Sequence, residues 1–402
     1  MKTTTLSLAA MLAAASTCAS GASLDFSGYM RAGVGLNARG GTQVCYGLPG
    51  ADSKFRLGNE CDYVIEPTFN AKLATYEGSD WHVLVMPGVY RAWGDTEFAN
   101  AAGVGSSELV ARFGQVYTYG NNISALGGGR LWAGRRFYNR LQTGINDQYL
   151  ENNDGDGAGL EDVNVGFGKF SIGFMLNPRD AATNNRLSIP LRLTNLKTLP
   201  NGELSVYVTP STQVKSRNRL TGIVADDQDD GVAVGLYQTL GGTLGGETLV
   251  GAKYDRIGEV RNSRVVVQQS GSFLQTTRFD LIGEYRVASD HGVDSKWTAI
   301  GGRTDTRISG PFRLLAEVGN DRVTPDGAPT RSMTKFTLAG AVSAGPEAWS
   351  RPTIRLFVTH AIWNEAARQV LSQNWVNGER LAQVYGDKRS GTSVGVQTEA
   401  WW

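Results

Sequence analysis

The sequence contains little of what most metalloenzymes and nucleic-acid-binding proteins need. Its 402 residues include three cysteines and three histidines, and the formal net charge is +1. His82, His291 and His360 are too scattered to suggest a catalytic triad, and no Cys/His cluster has metal-ligand spacing, so we expect no metal and no cofactor. The balance of 39 basic and 38 acidic residues excludes a globally basic chain that binds nucleic acid. Beyond residue 22 no continuous apolar run approaches 18 residues, so the sequence predicts no transmembrane helix.

The first 22 residues have the pattern of a secretory signal peptide. Lys2 precedes an apolar stretch at 6–15, and Ser20 and Ala22 occupy the small-residue positions of a cleavage site. We therefore expect a mature chain of residues 23–402. Removal of the signal peptide takes away Cys18 and leaves Cys45 and Cys61. One pair of cysteines in an exported chain favours a disulfide over two free buried thiols. Closing a loop of about 15 residues stabilises a fold by about 3 kcal/mol in the chain-entropy model.

The rest of the chain alternates apolar and polar residues with a period of two, which is typical of β-strands. In residues 24–36 one face is apolar and the other carries Tyr29, Arg31 and glycines; residues 163–176 and 279–287 alternate similarly, with Ile282 as a misfit on a polar face. A soluble β-sandwich gives the same alternation. Charged residues mixed with glycine on the polar face, and short turns alternating with long loops at about 91–129 and 366–391, favour a membrane barrel. The predicted fold is therefore an all-β, transmembrane, antiparallel β-barrel of about 16 to 18 strands, forming a single domain.

Aromatic and charged side chains on one interior face suit a sugar. An aromatic ring packs against the apolar face of a pyranose, while Arg, Asp and Glu bind its hydroxyls, which both donate and accept hydrogen bonds. Tyr29 and Arg31 have this relation on one strand. Such a pair is also compatible with simple ion pairing across the lumen.

Several sequence blocks resemble the maltoporin (LamB-type) sugar porin family. They are LDFSGYMRAGVG, the Cys45–Cys61 bracket with SKFRLGNEC, LWAGRRFYNR, GAGLEDVNVGFGKFS, WSRPTIRLFVTHA and the terminal VQTEAWW, in family order across the mature chain. Residues 180–345 resemble the family only loosely. The resemblance implies an 18-stranded barrel in the outer membrane of a Gram-negative bacterium, surrounded by lipid and assembled as a homotrimer. It also implies passive transport of maltose, maltodextrins or related sugars.

The resemblance also implies roles for individual residues. An aromatic path called the slide guides the sugar ring in this family, and charged residues opposite it form an ionic track. The residues that match are Tyr29, Trp349 and Trp401 for the slide, with Trp93 an approximate match to a loop tryptophan; Tyr149 for the constriction; and Arg31, Arg56, Glu66, Arg140 and Asp147 for the ionic track, with Arg112 near a loop arginine.

The sequence departs from the family pattern at three places. Val64 stands at a slide position, Gln142 replaces an acidic residue beside Arg140, and residues 236–251 offer no aromatic for the remaining slide position. These departures leave open a general diffusion porin, or a porin for another oligosaccharide, with a reduced slide. A barrel hydrolase would need two carboxylates at a set separation, and no recognisable constellation points to one, so we expect no enzymatic activity.

The chain ends in two tryptophans that alternation places on opposite faces. Trp401 shares the polar face with Glu399 and is predicted to point into the lumen. Trp402 shares the apolar face with Val394 and Val396 and is predicted to face lipid, as aromatics at a membrane interface do. The last strand is predicted to close the barrel.

Overall fold

The computed structural model describes residues 23–92, 112–178, 185–214, 229–376 and 378–402, most of which form one large antiparallel sheet. The segments of this sheet are β1 (Ser23–Asn37), β2 (Asp62–Tyr76), β3 (Ser79–Ala92), β4 (Arg112–Ile123), β5 (Gly129–Arg136), β8 (Gly155–Asn164), β9 (Lys169–Pro178), β10 (Asn185–Ser188), β11 (Leu191–Leu199), β12 (Gly202–Val214), β13 (Gly231–Thr243), β14 (Gly246–Ile257), β15 (Val260–Ser272), β16 (Thr277–Asp290), β17 (Val293–Ser309), β18 (Phe312–Pro325), β19 (Arg331–Ser343), β20 (Thr353–Trp363) and β21 (Ser390–Trp401). A separate hairpin consists of β6 (Leu141–Thr143) and β7 (Gln148–Glu151).

The sheet closes into a barrel because its last strand pairs with its first. β21 pairs with β20 on one side and with β1 on the other, in a register that places Tyr29 opposite Trp401. Within the described residues the sheet has 19 segments, and β10 and β11 both pair with β9 and β12, so they form one broken strand. The barrel therefore has 18 strands, which confirms the predicted fold class and places the count at the upper end of the range expected from length.

The broken strand has a local cause at Ile189–Pro190. Proline has no backbone N–H and cannot donate to the sheet ladder. The neighbouring strands still bond across the break, since Ile189 N–H donates to the Pro210 carbonyl at 3.0 Å and Gly173 N–H donates to the Pro190 carbonyl at 2.9 Å. The barrel wall is thus continuous at this point.

The apolar face of the strands is on the outside. In β18 exposed and buried residues alternate: Phe312 and Val318 are exposed on the outer face, while Arg313 and Glu317 are buried on the inner face. A soluble sandwich would do the reverse, with the apolar face in its core. Apolar residues outside and charged residues inside are the arrangement of a transmembrane barrel.

The connections differ between the two ends of the barrel. At the end where β1 begins, most connections are tight turns such as Glu77–Gly78, while the end where β1 finishes carries the long loops. We call these the turn end and the loop end; in outer-membrane barrels the long loops are external. The expected loop at 91–129 is wrong in part, because residues 112–123 form β4 and Ser124–Leu126 form a short 3-10 turn; residues 93–111 of this stretch lie outside the described residues. The loop at 364–389 agrees with the prediction.

Two loops fold into the barrel and supply its core. We call residues 38–61 the disulfide loop and residues 137–154, which contain β6 and β7, the hairpin loop. Cys45 and Cys61 form the predicted disulfide and are themselves buried. Tyr46 and Phe55 from the disulfide loop, with Ile145 from the hairpin loop, join one buried cluster with inward residues of the barrel wall. Ile282 belongs to that cluster, which explains its apolar character on a polar face.

Glycines in the wall make room for the disulfide loop. A Cβ on Gly319 or on Gly301 would lie 2.1 Å from an atom of the Phe55 ring. Real side chains do not approach so closely, so only glycine allows the ring to pack against β17 and β18 at this distance. The disulfide loop therefore packs directly against this part of the barrel wall.

The loop between β20 and β21 covers part of the loop end. It contains α1 (Glu365–Arg368) and α2 (Gly378–Tyr385), and the Asn364 side chain caps α1 by accepting from Ala367 N–H at 3.0 Å. Tyr385 is buried, with its ring centroid 6.1 Å from that of Tyr46 and 6.0 Å from that of Trp363. We call residues 364–389 the outer loop. In the part of the chain that is described, no helix has the length and apolarity to span a membrane.

The terminal residue packs on the outside of the barrel. Trp402 exchanges backbone hydrogen bonds with Gly28, at 3.1 and 3.3 Å, and its ring centroid is 5.5 Å from that of Phe26. A Cβ on Gly28 would lie 2.5 Å from the indole, so glycine leaves the space that the ring fills. The prediction that Trp402 faces outward from the closing strand is confirmed.

Candidate functional site in the lumen

The inner loops leave a passage that is displaced to one side of the barrel. The described residues line two adjoining cavities along it, of about 660 and 340 Å³, which share Arg56, Glu399 and Trp401. The larger one lies toward the loop end, against β1–β5 and the hairpin loop, and the smaller one lies toward the turn end, below the inner loops, against β16–β21. We call them the loop-side cavity and the turn-side cavity.

The hairpin loop forms one wall of the loop-side cavity. The Arg140 Nε donates to Asp154 at 2.9 and 3.0 Å, and the guanidinium lies 3.3 Å from the centroid of the Phe137 ring. A guanidinium nitrogen of Arg140 also lies 3.4 Å from the Tyr149 hydroxyl. An ion pair and a cation–π contact therefore fix a group of aromatic and charged side chains that faces the passage.

Beside the hairpin loop, a cluster of ion pairs is centred on Glu60. Its carboxylate lies 2.6 Å from Arg31 and 2.9 Å from Arg56, and Lys54 lies 3.9 Å away. Burial would raise the pKa of Glu60, but the three cations outweigh it and hold the pKa well below its usual range. The Arg56 guanidinium, although buried, has a raised pKa because of Glu60 and Asp147. Both groups remain charged at all physiological pH values.

Asp147 belongs to the hairpin loop and lies next to this cluster. It accepts a hydrogen bond from the Gln142 side chain at 2.6 Å and lies 3.8 Å from Arg56. Burial raises the pKa of Asp147, and the attraction of Arg56 does not fully offset that effect. Gln142, which replaces an acidic residue of the family pattern, thus holds an acidic neighbour in position.

Strands β1 and β21 carry the aromatic residues at the junction of the two cavities. The Tyr29 hydroxyl donates to Glu399 at 3.0 Å, and Arg31 donates to that hydroxyl at 3.1 Å. Trp401 is 42% exposed, and the Arg351 guanidinium lies 3.7 Å from its ring centroid. One face of the Trp401 indole is therefore covered by a cation, and the exposed remainder faces the passage.

Trp349 lies at the turn end of the passage. It belongs to the connection between β19 and β20, is 56% exposed, and lines the turn-side cavity with Trp401. The Arg278 guanidinium is 5.8 Å from its ring centroid, within the range of a cation–π contact. Aromatic rings thus recur along the passage from the hairpin loop to the turn end.

The structure brings most of the predicted site residues together. Those that line the loop-side cavity are Tyr29, Arg31, Arg56, Glu66, Arg140, Asp147, Tyr149 and Trp401, and Trp349 lines the turn-side cavity. Trp93 lies outside the described residues. Arg112 begins β4, and its side chain is also outside the described part. The roles assigned to these residues remain predictions.

Sequence reasoning missed three aromatic residues of the loop-side cavity: Tyr90, Phe113 and Phe137. Tyr90 is the cross-strand partner of Val64, which also lines the cavity. An aromatic ring therefore lies beside the position where valine interrupts the expected path. The inward parity of Tyr90 on β3 is visible in the sequence, but its pairing with Val64 depends on the register between two strands.

Residues 236–251 contain one aromatic side chain, and the structure does not place it at the passage. Tyr237 lies in that stretch and points inward, but it is 2% exposed and donates to Glu151 of the hairpin loop at 2.7 Å. Lys253 also bonds the hairpin loop, at 2.7 Å from the Leu150 carbonyl. Tyr237 therefore anchors a loop and does not face the passage.

The fold and the passage together define a porin-type barrel, with lipid outside and a charged, aqueous lumen inside. The LamB porin family model matches residues 24–402. The chain belongs to the LamB porin family. It is an outer-membrane channel of a Gram-negative bacterium, and both family and fold point to a channel rather than an enzyme.

Solved porins have a similar fold at low sequence identity. A BenF-like porin from Pseudomonas fluorescens Pf-5 is 7% identical, with a TM-score of 0.50, over 95% of this chain and 99% of that chain. OccK5 (OpdH) of Pseudomonas aeruginosa is 10% identical, with a TM-score of 0.48, over 94% and 97%. An anion-selective porin from Comamonas acidovorans is 9% identical, with a TM-score of 0.47, over 94% and 100%. Likeness at this level concerns the fold alone.

Proposed function

We propose that this porin conducts maltose and maltodextrin-type oligosaccharides across the outer membrane by facilitated diffusion. The observation that carries the proposal is the alternation of exposed rings and fixed charges along one passage. Trp401 and Trp349 offer ring faces, and Tyr149 and Tyr29 offer rings with hydroxyl groups. A pyranose has an apolar face for the rings and equatorial hydroxyls for the ionic groups.

The charged groups are suited to exchange partners with sugar hydroxyls at little cost. Glu399 accepts from Arg355 and from Arg351, and Arg31 bonds both Glu60 and Asp62. Each ion keeps at least one opposite charge while another of its bonds is replaced by a hydroxyl. Binding at such a site is weak and repeated, as facilitated diffusion requires, since a sugar must leave as readily as it enters.

A second candidate is a channel for another oligosaccharide, or a general diffusion porin with weak sugar binding. Val64 interrupts the expected path of rings, and Arg351 covers one face of Trp401. Both features reduce the aromatic surface that a long maltodextrin would use. Liposome swelling with glucose, sucrose, maltose and maltohexaose separates the candidates, because binding gives saturable flux and simple diffusion gives linear flux.

Block of ion current in planar bilayers tests the main proposal. Millimolar maltotriose should reduce the conductance reversibly, and Trp401→Ala should weaken the block about two- to tenfold, the range of a single aromatic contact. Trp402→Phe is the matched control, since Trp402 is the adjacent residue on the outer face. Current that is indifferent to every oligosaccharide tested would refute the sugar channel.

We further propose that the protein assembles as a homotrimer, as the family resemblance implies. The exposed apolar belt of the barrel offers surface for contact with other subunits as well as with lipid. Native mass spectrometry of the detergent-solubilised protein would measure the stoichiometry, and a monomer at all concentrations would contradict the proposal.

A further inference from the structure

A third cavity, of about 370 Å³, opens at the loop end of the passage. We call it the vestibule. It shares Arg31, Tyr90 and Asp147 with the loop-side cavity, so the two are continuous. The Cys45–Cys61 disulfide and Trp375 of the outer loop are among the residues that line it. A solute in the vestibule therefore lies between Trp375 and two cations of the ion-pair cluster around Glu60, Arg31 and Lys54.

Trp375 is exposed although its neighbours in the chain are buried. The indole is 57% exposed, whereas Asn374 and Val376 are 5% and 8% exposed. The Asn374 side chain accepts from Val376 N–H at 3.1 Å and donates to the Val376 carbonyl at 3.2 Å. Val376 in turn packs against Cys45 and Cys61. The backbone on both sides of the tryptophan is thus fixed to the disulfide loop.

The indole itself is also held in place. Its Nε1–H donates to the Ala51 carbonyl of the disulfide loop at 3.1 Å, which fixes the polar edge of the ring and leaves the apolar surface in water. An apolar side chain gains free energy by burial, and this one is kept out of the core that its neighbours join. A ring that is already immobilised loses little entropy when a ligand packs on it, so it binds better than a mobile one.

We propose that Trp375 is the outer capture site of the channel, where the apolar face of a pyranose ring first binds before the sugar moves to Tyr90 and the loop-side cavity. The inference rests on the proposed sugar transport and adds a residue of the outer loop to it. Asp62, which bonds Arg31 and has a side chain 39% exposed, lies in the same cavity and supplies a hydroxyl acceptor.

The proposal predicts that loss of Trp375 affects sugar entry from one end of the passage and not from the other. Trp375 stands at the loop end and Trp349 at the turn end, and both are more than half exposed. A capture residue raises the rate at which sugar enters through its own mouth. It leaves the rate of entrance through the other mouth unchanged, because a sugar from that side reaches the inner sites first.

The test is block of single-channel current by maltohexaose added to one side of an oriented bilayer. Trp375→Leu keeps an apolar side chain and removes the flat ring, and Trp375→Phe keeps a ring and removes the N–H. For Trp375→Leu, the association rate from the loop-end side should fall about two- to tenfold, the range of one aromatic contact, while the rate from the turn-end side stays at the wild-type value. Trp375→Phe should recover most of the loss.

Trp349→Leu is the matched control. Its association rate should fall from the turn-end side and stay at the wild-type value from the loop-end side. Equal association rates for Trp375→Leu and the wild type, or an equal fall from both sides, would overturn the capture site while leaving sugar transport intact. A wild-type channel that no maltodextrin blocks would overturn the proposed function and this inference together. The heat-dependent mobility of the folded band in gel electrophoresis verifies that each variant has assembled.

Discussion

Replacing Glu317 with glutamine tests what holds the disulfide loop against the barrel wall. The Glu317 side chain is 0% exposed; it accepts from Lys335 Nζ at 2.8 Å, from Leu57 N–H at 3.0 Å and from Arg303 at 2.8 Å. Lys335 also donates to the Leu57 carbonyl at 2.9 Å. The Glu317 carboxylate on β18 therefore links Arg303 of β17, Lys335 of β19 and the backbone N–H of Leu57 in the disulfide loop, while Lys335 donates to the carbonyl of the same loop residue.

The expected loss of stability follows from the negative charge that the glutamine amide lacks. Glutamine leaves two cations without their counter-charge and turns an N–H₂ group toward one of the donors. Breaking a buried ion pair on one side costs about 3–5 kcal/mol, and we expect the lower end of that range because Arg303 is partly exposed and can regain water. Lys197 and Glu203 form a similar pair with side chains 73% and 38% exposed, so Glu203→Gln should cost less than about 1 kcal/mol.

Two measurements report the loss. Single-channel recording should show larger and noisier conductance for Glu317→Gln, because the released loop no longer narrows the passage. The temperature at which the folded band disappears in gel electrophoresis should fall, whereas Glu203→Gln should match the wild type in both assays. If Glu317→Gln has wild-type conductance and wild-type thermal stability, the ion-pair network does not hold the loop.

Three further perturbations give distinct outcomes. Gly319→Ala places a Cβ 2.1 Å from the Phe55 ring and should raise open-channel noise, while Gly340→Ala, with no atom within 4 Å, should leave the current unchanged. Reversal potentials measured against pH should show a change in ion selectivity above the ordinary pKa of an aspartate, because the pKa of Asp147 is raised, and Asp147→Asn should remove that change. Replacing both cysteines of the Cys45–Cys61 disulfide by serine opens a loop with a sequence separation of 16 residues. It should lower stability by about 3 kcal/mol, measured as the shift in thermal unfolding.

The sign of the Asp147 effect also predicts a dependence of stability on pH. A carboxyl whose pKa is higher in the folded state binds its proton more tightly there, so the fold gains stability below the unfolded pKa and loses it as pH rises through the folded value. Glu60 acts in the opposite direction, since its folded pKa is lowered and its contribution is lost only in acid. Between acidic and neutral pH, the Asp147→Asn variant should therefore lose less stability than the wild type, as measured by thermal unfolding.

Alternation in the sequence determined which residues face inward. Period two assigned Trp401 to the lumen and Trp402 to the outer face, because successive side chains of a strand point to opposite sides. The same rule placed Tyr29 and Arg31 in the lumen and identified Ile282 as an exception to the alternation. Blocks of sequence within residues 24–171 and 349–402 carried the family resemblance, and the predicted site residues all lie in these two ranges.

Tertiary structure decided which inward residues face the passage. Tyr237 and Tyr90 have the same inward parity, yet the hairpin loop covers Tyr237 and leaves Tyr90 in the cavity. Burial beneath an inner loop depends on contacts between segments far apart in the sequence, such as Phe55 on Gly319, and no local period encodes them. The pairing of Tyr90 with Val64 and the fixed exposure of Trp375 have the same origin. By itself the sequence determined the barrel and the two faces of its strands, and the path through the barrel arose only when the loops folded into it.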